Sequence, residues 1–345
     1  MPVKTATPIP VAHRLKGFDY AIRNIVTEAQ KVEDRGRPVH YLNIGDPVLF
    51  GFETPPHLVT AVERAMRDGH NGYTTGAGIM AAREAVASEY SARGIATSAD
   101  RVVLTSGTSE GIDLALTVIV DRGDEVLIPV PTYPFYSAAL TKLGARAVYY
   151  PTDPSRGWEP DLERLRALVS PRTKALVVIN PNNPTGTYLP VDELDRLQAG
   201  LPKQVLLVID SAYAEYVVRE DYTAGIDLVR ANDNVAMLRT FSKIYGMGGV
   251  RLGWGYFAEE VADILNRMRS PFNVSYPAQA AGAAASKDER RIRRLTETAV
   301  LLVVQLFGVF GVFYFPHLTK KNAACFFYSP FFFSSLFHNM KNLPI

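Results

Sequence analysis

Lys243 directly follows the apolar run NVAMLRTFS (234–242). A lysine at the end of a buried strand is costly as an ammonium unless it is paired or loses its proton. Forming an imine with a carbonyl compound removes the charge and makes the amine chemically useful. The hydroxyls of Thr240 and Ser242, with Arg251 eight residues past the lysine, suit a phosphate. Taken alone, a lysine entering the glycine-rich IYGMGG also reads as an exposed loop residue.

Four other short segments carry polar groups at the ends of apolar runs: 106–110, Pro131-Thr132-Tyr133, 180–186 and 210–213. Ser106-Gly107-Thr108-Ser109-Glu110 lies between a buried run and a helical pattern. Free amides and small hydroxyls there make an anion site, or a plain N-cap. Asn180–Gly186 (NPNNPTG) presents asparagine amides on a proline-stiffened loop, and also reads as a simple turn. Asp210 ends QVLLVID, where a carboxylate in a crevice would stabilise a protonated ring nitrogen; its plainer role is a cap. Tyr213, three residues on, could donate its phenol to the same ligand, or be an ordinary half-buried tyrosine.

These residues need elements that hold them at one edge. Helical periodicity covers 19–36, 56–67 and 79–94, and a short strand is expected at 39–45. From residue 100, buried Val/Ile/Leu runs alternate with helical stretches near 109–120, 133–143, 161–169 and 190–200. The runs are RVVLTSG, EVLIPV, ARAVYYP, KALVVIN, QVLLVID, NVAMLRTFS and RLGWGYF. Such alternation predicts an α/β fold, a mostly parallel sheet sandwiched by helices. Ligands of these sheets bind outside the carboxyl ends of the strands, where the five polar segments fall.

The ordered set INPNNPTG, D-x-x-Y and RTFSKxYGxxGxRxG resembles the class I/II, fold-type I aminotransferases that use pyridoxal 5'-phosphate (PLP), from about Asp19 to Thr298. The resemblance implies that Lys243 is the imine lysine and proton shuttle, with Asp210 at the pyridine nitrogen. It implies Asn183 and Tyr213 at the phenolic oxygen, and Tyr133 stacked on the ring. The phosphate cup would be Gly107, Thr108 and Ser109 with Thr240, Ser242 and Arg251. Tyr73, in NGYTTGAG, would reach the phosphate of a neighbouring subunit, which implies a homodimer. LNIGDPVLFGFETP is similar to the alanine- and aspartate-type branch, and Gly45 would lie beside the substrate carboxylate. Ser211 stands where the family often has glutamate.

The implied reaction is ping-pong transamination between a small L-amino acid and a 2-oxo acid. Lys243 acts as general base, and the cofactor serves as electron sink. A carbon–sulfur lyase would use the same cofactor residues, and an inert product could keep the fold without turnover. Gly76-Ala77-Gly78-Ile79-Met80-Ala81 matches a dinucleotide pattern, but no buried strand precedes it. The sequon at Asn273 requires secretion to matter, and no Cys/His cluster suggests a metal.

The 345 residues carry a net charge of +2, which gives no field directed at nucleic acid. The single cysteine, Cys325, cannot form an internal disulfide. No apolar signal core opens the chain, so a cytoplasmic protein is expected. Composition breaks at Thr298, after which there is no acidic residue and Arg294 is already the last arginine. The domain reading is an N-terminal arm (1–44), a large PLP-binding domain (45–290), and an atypical apolar segment (291–345) where the family's small domain is truncated or replaced. With no arginine beyond Arg294, no substrate-carboxylate clamp carries over. The run 299–315 could be a membrane anchor, a buried helix, or the product of a shifted reading frame, the reading favoured by the coincidence of compositional break and lost resemblance.

Overall fold

The computed structural model describes residues 12–16, 18, 21–39, 41 and 45–286. The segment 291–345, with its 299–315 run, lies outside the described residues, as does most of the strand expected at 39–45. No helix among the described residues is long and apolar enough to cross a membrane.

Helices α1 (Ala21–Glu33), α2 (Pro56–Arg67) and α3 (Met80–Ser91) precede the sheet. Strand β1 (Val102–Thr105) leads into α4 (Gly107–Thr117), and β2 (Glu125–Val130) into α5 (Phe135–Leu143). After β3 (Arg146–Asp153) and the short β4 (Glu159–Pro160), α6 (Leu162–Leu168) returns the chain to β5 (Thr173–Ile179). Then α7 (Val191–Ala199), β6 (Leu206–Asp210), α8 (Ile226–Ala231) and β7 (Val235–Thr240) follow. The last described elements are β8 (Gly253–Tyr256), α9 (Glu259–Met268) and α10 (Tyr276–Ala285).

The eight strands are ordered β1-β8-β7-β6-β5-β2-β3-β4. Strands β3, β2, β5, β6 and β7 pair in parallel, while β8 runs antiparallel to both β7 and β1. The start of β8 therefore meets the carboxyl ends of its neighbours. That reversal brings Arg251, two residues before β8, to the edge where Lys243 leaves β7.

Strand residues point alternately to opposite faces. Leu176, Leu207 and Met237 join one apolar cluster, while Val177, Val208 and Ala236 join another. Burying both faces explains why the runs are continuously hydrophobic. On one side α4 and α5 contribute Ile112, Leu116, Tyr136 and Leu140; on the other, α10 inserts Ala278, Ala281 and Ala285 at helical spacing. Burial of this area is the main force holding the strand ends, and so the polar loops, in place.

Candidate active site

Asp210 closes β6 and is 3 % exposed. Its Oδ2 accepts the Tyr136 phenol at 2.9 Å, and its Oδ1 accepts the Ala212 N–H at 3.2 Å. Burial lifts its pKa to about 6; the Tyr136 and Ala212 bonds and the Lys243 charge pull against that rise.

Lys243 lies just past the end of β7, with Nζ donating to the Gly45 carbonyl at 3.2 Å. The ammonium stands 5.2 Å from the centroid of the Tyr213 ring. Desolvation lowers its pKa from the usual lysine value, opposed by the Asp46 and Asp210 carboxylates and reinforced by Arg251. Tyr213 is buried, and its hydroxyl accepts Asn183 Nδ2 at 3.3 Å. Burial, with Asp210 beside it, raises the phenol's pKa and keeps it a protonated donor. Tyr133 sits on the same edge, at the start of α5, with Phe135 stacked 6.1 Å away.

The candidate anion cup lies where β1 gives way to α4. Gly107 opens the helix with φ +71°, and a Cβ there would lie 2.4 Å from Arg251 Nη2. The first-turn amides of Gly107, Thr108 and Ser109 have no intrahelical acceptor to serve. The Ser106 N–H is taken by Glu110 Oε2 at 2.5 Å. Arg251 itself is left-handed (φ +57°), an uncommon conformation for a residue with a side chain, and donates to the Gly248 and Ser106 carbonyls at 3.0 and 3.5 Å. Strain of that kind is characteristic of functional loops.

Two hydroxyls depart from the expected cup. Thr108 Oγ1 turns inward and donates to the Arg239 carbonyl at 2.8 Å. Thr240 Oγ1 accepts the Ser242 N–H at 3.0 Å and donates to Ser242 Oγ at 2.9 Å, so it orients Ser242. Backbone amides, Ser242 and Arg251 are the better anion donors. Tyr73 is 85 % exposed and stacked on Phe272 at 4.2 Å, with its ring offered outward.

Tyr136 was not singled out in the sequence. It lies in the first turn of α5, three residues after Tyr133, and the two rings meet edge to face at 6.5 Å; that spacing is the available signal. Arg239, four residues before Lys243, was passed over as part of a motif. Together the groups suit an anionic, ring-bearing cofactor. There is a cationic, amide-lined cup, a buried carboxylate bonded by neutral donors, a phenol–amide pair, and a desolvated lysine amine.

Known proteins bear on this arrangement. The family model described as aminotransferase class I and II matches residues 37–326, past the Thr298 boundary. Histidinol-phosphate aminotransferase of Paramagnetospirillum magneticum is 50% identical over 190 residues, which is 55% of this chain and 52% of that protein. The enzyme of the same name from Rhodopseudomonas palustris (strain BisB5) is 36% identical over 307 residues, 85% of this chain and 80% of that one. The chain spans about half the length of the first curated relatives it matches. Alanine aminotransferase from Pyrococcus furiosus superimposes with a TM-score of 0.79 at 29% identity, covering 88% of this chain and 79% of that one. A double mutant of Thermus thermophilus aspartate aminotransferase gives 0.78 at 26%, covering 88% and 81%.

Proposed function

The chain belongs to the class I and II aminotransferases, and from that premise we propose that it moves an amino group to and from a 2-oxo acid with Lys243 as proton carrier. The family's cofactor is PLP. The buried Asp210 carboxylate, 3 % exposed and hydrogen-bonded by neutral donors, is the observation that carries the reading. The chemistry that PLP supplies when bound is an aldehyde that takes up amines and a pyridinium that draws electrons from the neighbouring carbon.

The residues divide the work by position. Asp210 would hold the proton on the ring nitrogen, and its neutral partner Tyr136 orients the carboxylate. Tyr213 and Asn183, bonded to each other, would bind the ring oxygen. The amides of Gly107, Thr108 and Ser109, with Ser242 and Arg251, would hold the phosphate, and Tyr133 would stack on the ring. Thr108 and Thr240 hydroxyls brace that cup from behind. Lys243, with its pKa lowered by desolvation, would take the proton from the substrate's α-carbon and deliver it to the carbon that was the cofactor's aldehyde. Gly45, already in contact with Lys243, borders the substrate. The outward Tyr73–Phe272 stack suits a homodimer in which Tyr73 reaches the partner's cup.

The expectation of an alanine- or aspartate-like substrate gives way to a different one. Relatives named histidinol-phosphate aminotransferase share 36–50% identity, against 26–29% for the alanine and aspartate enzymes of similar fold. The amine we assign is therefore histidinol phosphate, with 2-oxoglutarate as acceptor. The full chain loaded with PLP should form glutamate from that pair faster than from L-alanine or L-aspartate. Equal or faster turnover of the amino acids would reverse the assignment, and release of free ammonia would indicate a lyase.

A further inference from the structure

Behind the cofactor residues lies an ion pair that the reaction does not use. Arg239 is 5 % exposed and sits inside β7, four residues before Lys243. Its Nη2 lies 2.5 Å from Glu215 Oε1, and its Nη1 donates to the buried Tyr90 hydroxyl. The guanidinium also lies 5.7 Å from the centroid of the Trp254 ring, on β8. Glu215 belongs to the single 3-10 turn Ala214–Tyr216, which begins directly after Tyr213. The Arg239 carbonyl, meanwhile, accepts the Thr108 hydroxyl of the cup at 2.8 Å.

One residue thus connects the cup, the turn after Tyr213 and the strand that leads to Lys243. Its main chain continues into Thr240, Ser242 and Lys243; its carbonyl fastens the cup; its guanidinium fastens the turn that carries Tyr213. A buried ion pair is poor support for stability, because desolvation offsets the attraction. Arg239 Nε, moreover, finds no hydrogen-bond partner among the described residues. What the guanidinium does supply is direction: one prong of the planar fork holds Glu215 on the turn and the other holds Tyr90 on α3, which fixes the turn relative to the strand more tightly than apolar packing does.

We propose that Arg239 and Glu215 are positioning residues that set where Tyr213 and the cup stand relative to Lys243, and so set PLP affinity and the protonation of bound PLP. The inference rests on PLP binding at this site.

The test uses the full chain, titrated with PLP and followed by visible absorbance as a function of pH. A paired replacement, Arg239→Met with Glu215→Met, removes both charges with little change of volume. It should melt within a few degrees of the parent, yet bind PLP at least about tenfold more weakly, with the absorbance titration displaced in the same direction as in Tyr213→Phe. Adding Tyr213→Phe to the paired replacement should change little more, because both act through the same phenol. Unchanged affinity and titration, or full additivity with Tyr213→Phe, would overturn the proposal. If the paired variant fails to fold, Arg239→Lys decides: it keeps the charge but not the fork, and PLP affinity equal to the parent's would equally refute the role. Failure of the parent itself to bind PLP would instead reject the cofactor site.

Discussion

Tyr136 donates its phenol to Asp210 Oδ2 at 2.9 Å across 74 positions of sequence. Asp210 is heavily desolvated, and the Tyr136 bond is the largest of the interactions that favour its charged form, ahead of the Ala212 N–H and the Lys243 charge. In the absence of a ring nitrogen to share its proton, the carboxyl titrates at about 6.

Tyr136→Phe removes a bond that lowers this pKa, so Asp210 should move further up. The acid limb of the pH profile for kcat/KM should shift to higher pH, while activity at pH 8 falls less. A buried oxygen left without its donor also costs about 1–3 kcal/mol. An acid limb unchanged in Tyr136→Phe would show that Asp210 does not govern it.

Asp210→Asn should separate stability from catalysis. A folded-state value near 6 exceeds the ~3.9 of an unfolded aspartate, so the folded state binds the proton more tightly. The contribution is present below ~4 and is lost as pH rises through about 6. At pH 8 the cofactor-free variant should therefore be more stable than the parent, by about 1–3 kcal/mol in urea unfolding, with the gain vanishing near pH 4. Turnover should drop by about 10³-fold, the scale of a lost proton-holding group. A destabilised variant at pH 8 would contradict this account.

Lys243→Ala should keep the fold and lose both turnover and the visible band of bound PLP. Desolvation depresses the lysine's folded pKa, so this group's contribution to stability increases as pH rises toward the unfolded value of ~10.4. The cofactor-free variant should accordingly melt no lower than the parent at pH 7, and the difference should narrow at higher pH. A large loss of melting temperature would mean that the amine is structural.

Gly107→Ala combines two penalties, a positive φ of +71° and a Cβ 2.4 Å from Arg251 Nη2. The expected cost is about 1–3 kcal/mol, felt chiefly as displacement of the arginine from the cup. PLP affinity should fall about tenfold or more while free pyridoxal, lacking the phosphate, binds as before. Equal losses for both would place the cup elsewhere.

Much of this protein is legible in its residues alone. Continuous apolar runs require strands covered on both faces, and that requirement by itself places Ser106–Ser109, Asn183, Asp210, Tyr213 and Lys243 at strand ends. Helix α2 falls at the positions its periodicity predicts, and the neighbouring helices shift by a few residues at their ends, where capping rather than pattern decides. The motif order carried the family and its cofactor.

Tertiary structure decided what pairs with what. Tyr136 meets Asp210, Glu215 meets Arg239, and Thr108 turns from the cup to the Arg239 carbonyl through contacts between segments 24 to 131 residues apart. Local periodicity specifies which face of an element is apolar. The order and direction of strands, including the reversed β8 that delivers Arg251, come from burying all those faces at once. A hydrogen bond depends on the last ångström of that packing, which no single segment encodes.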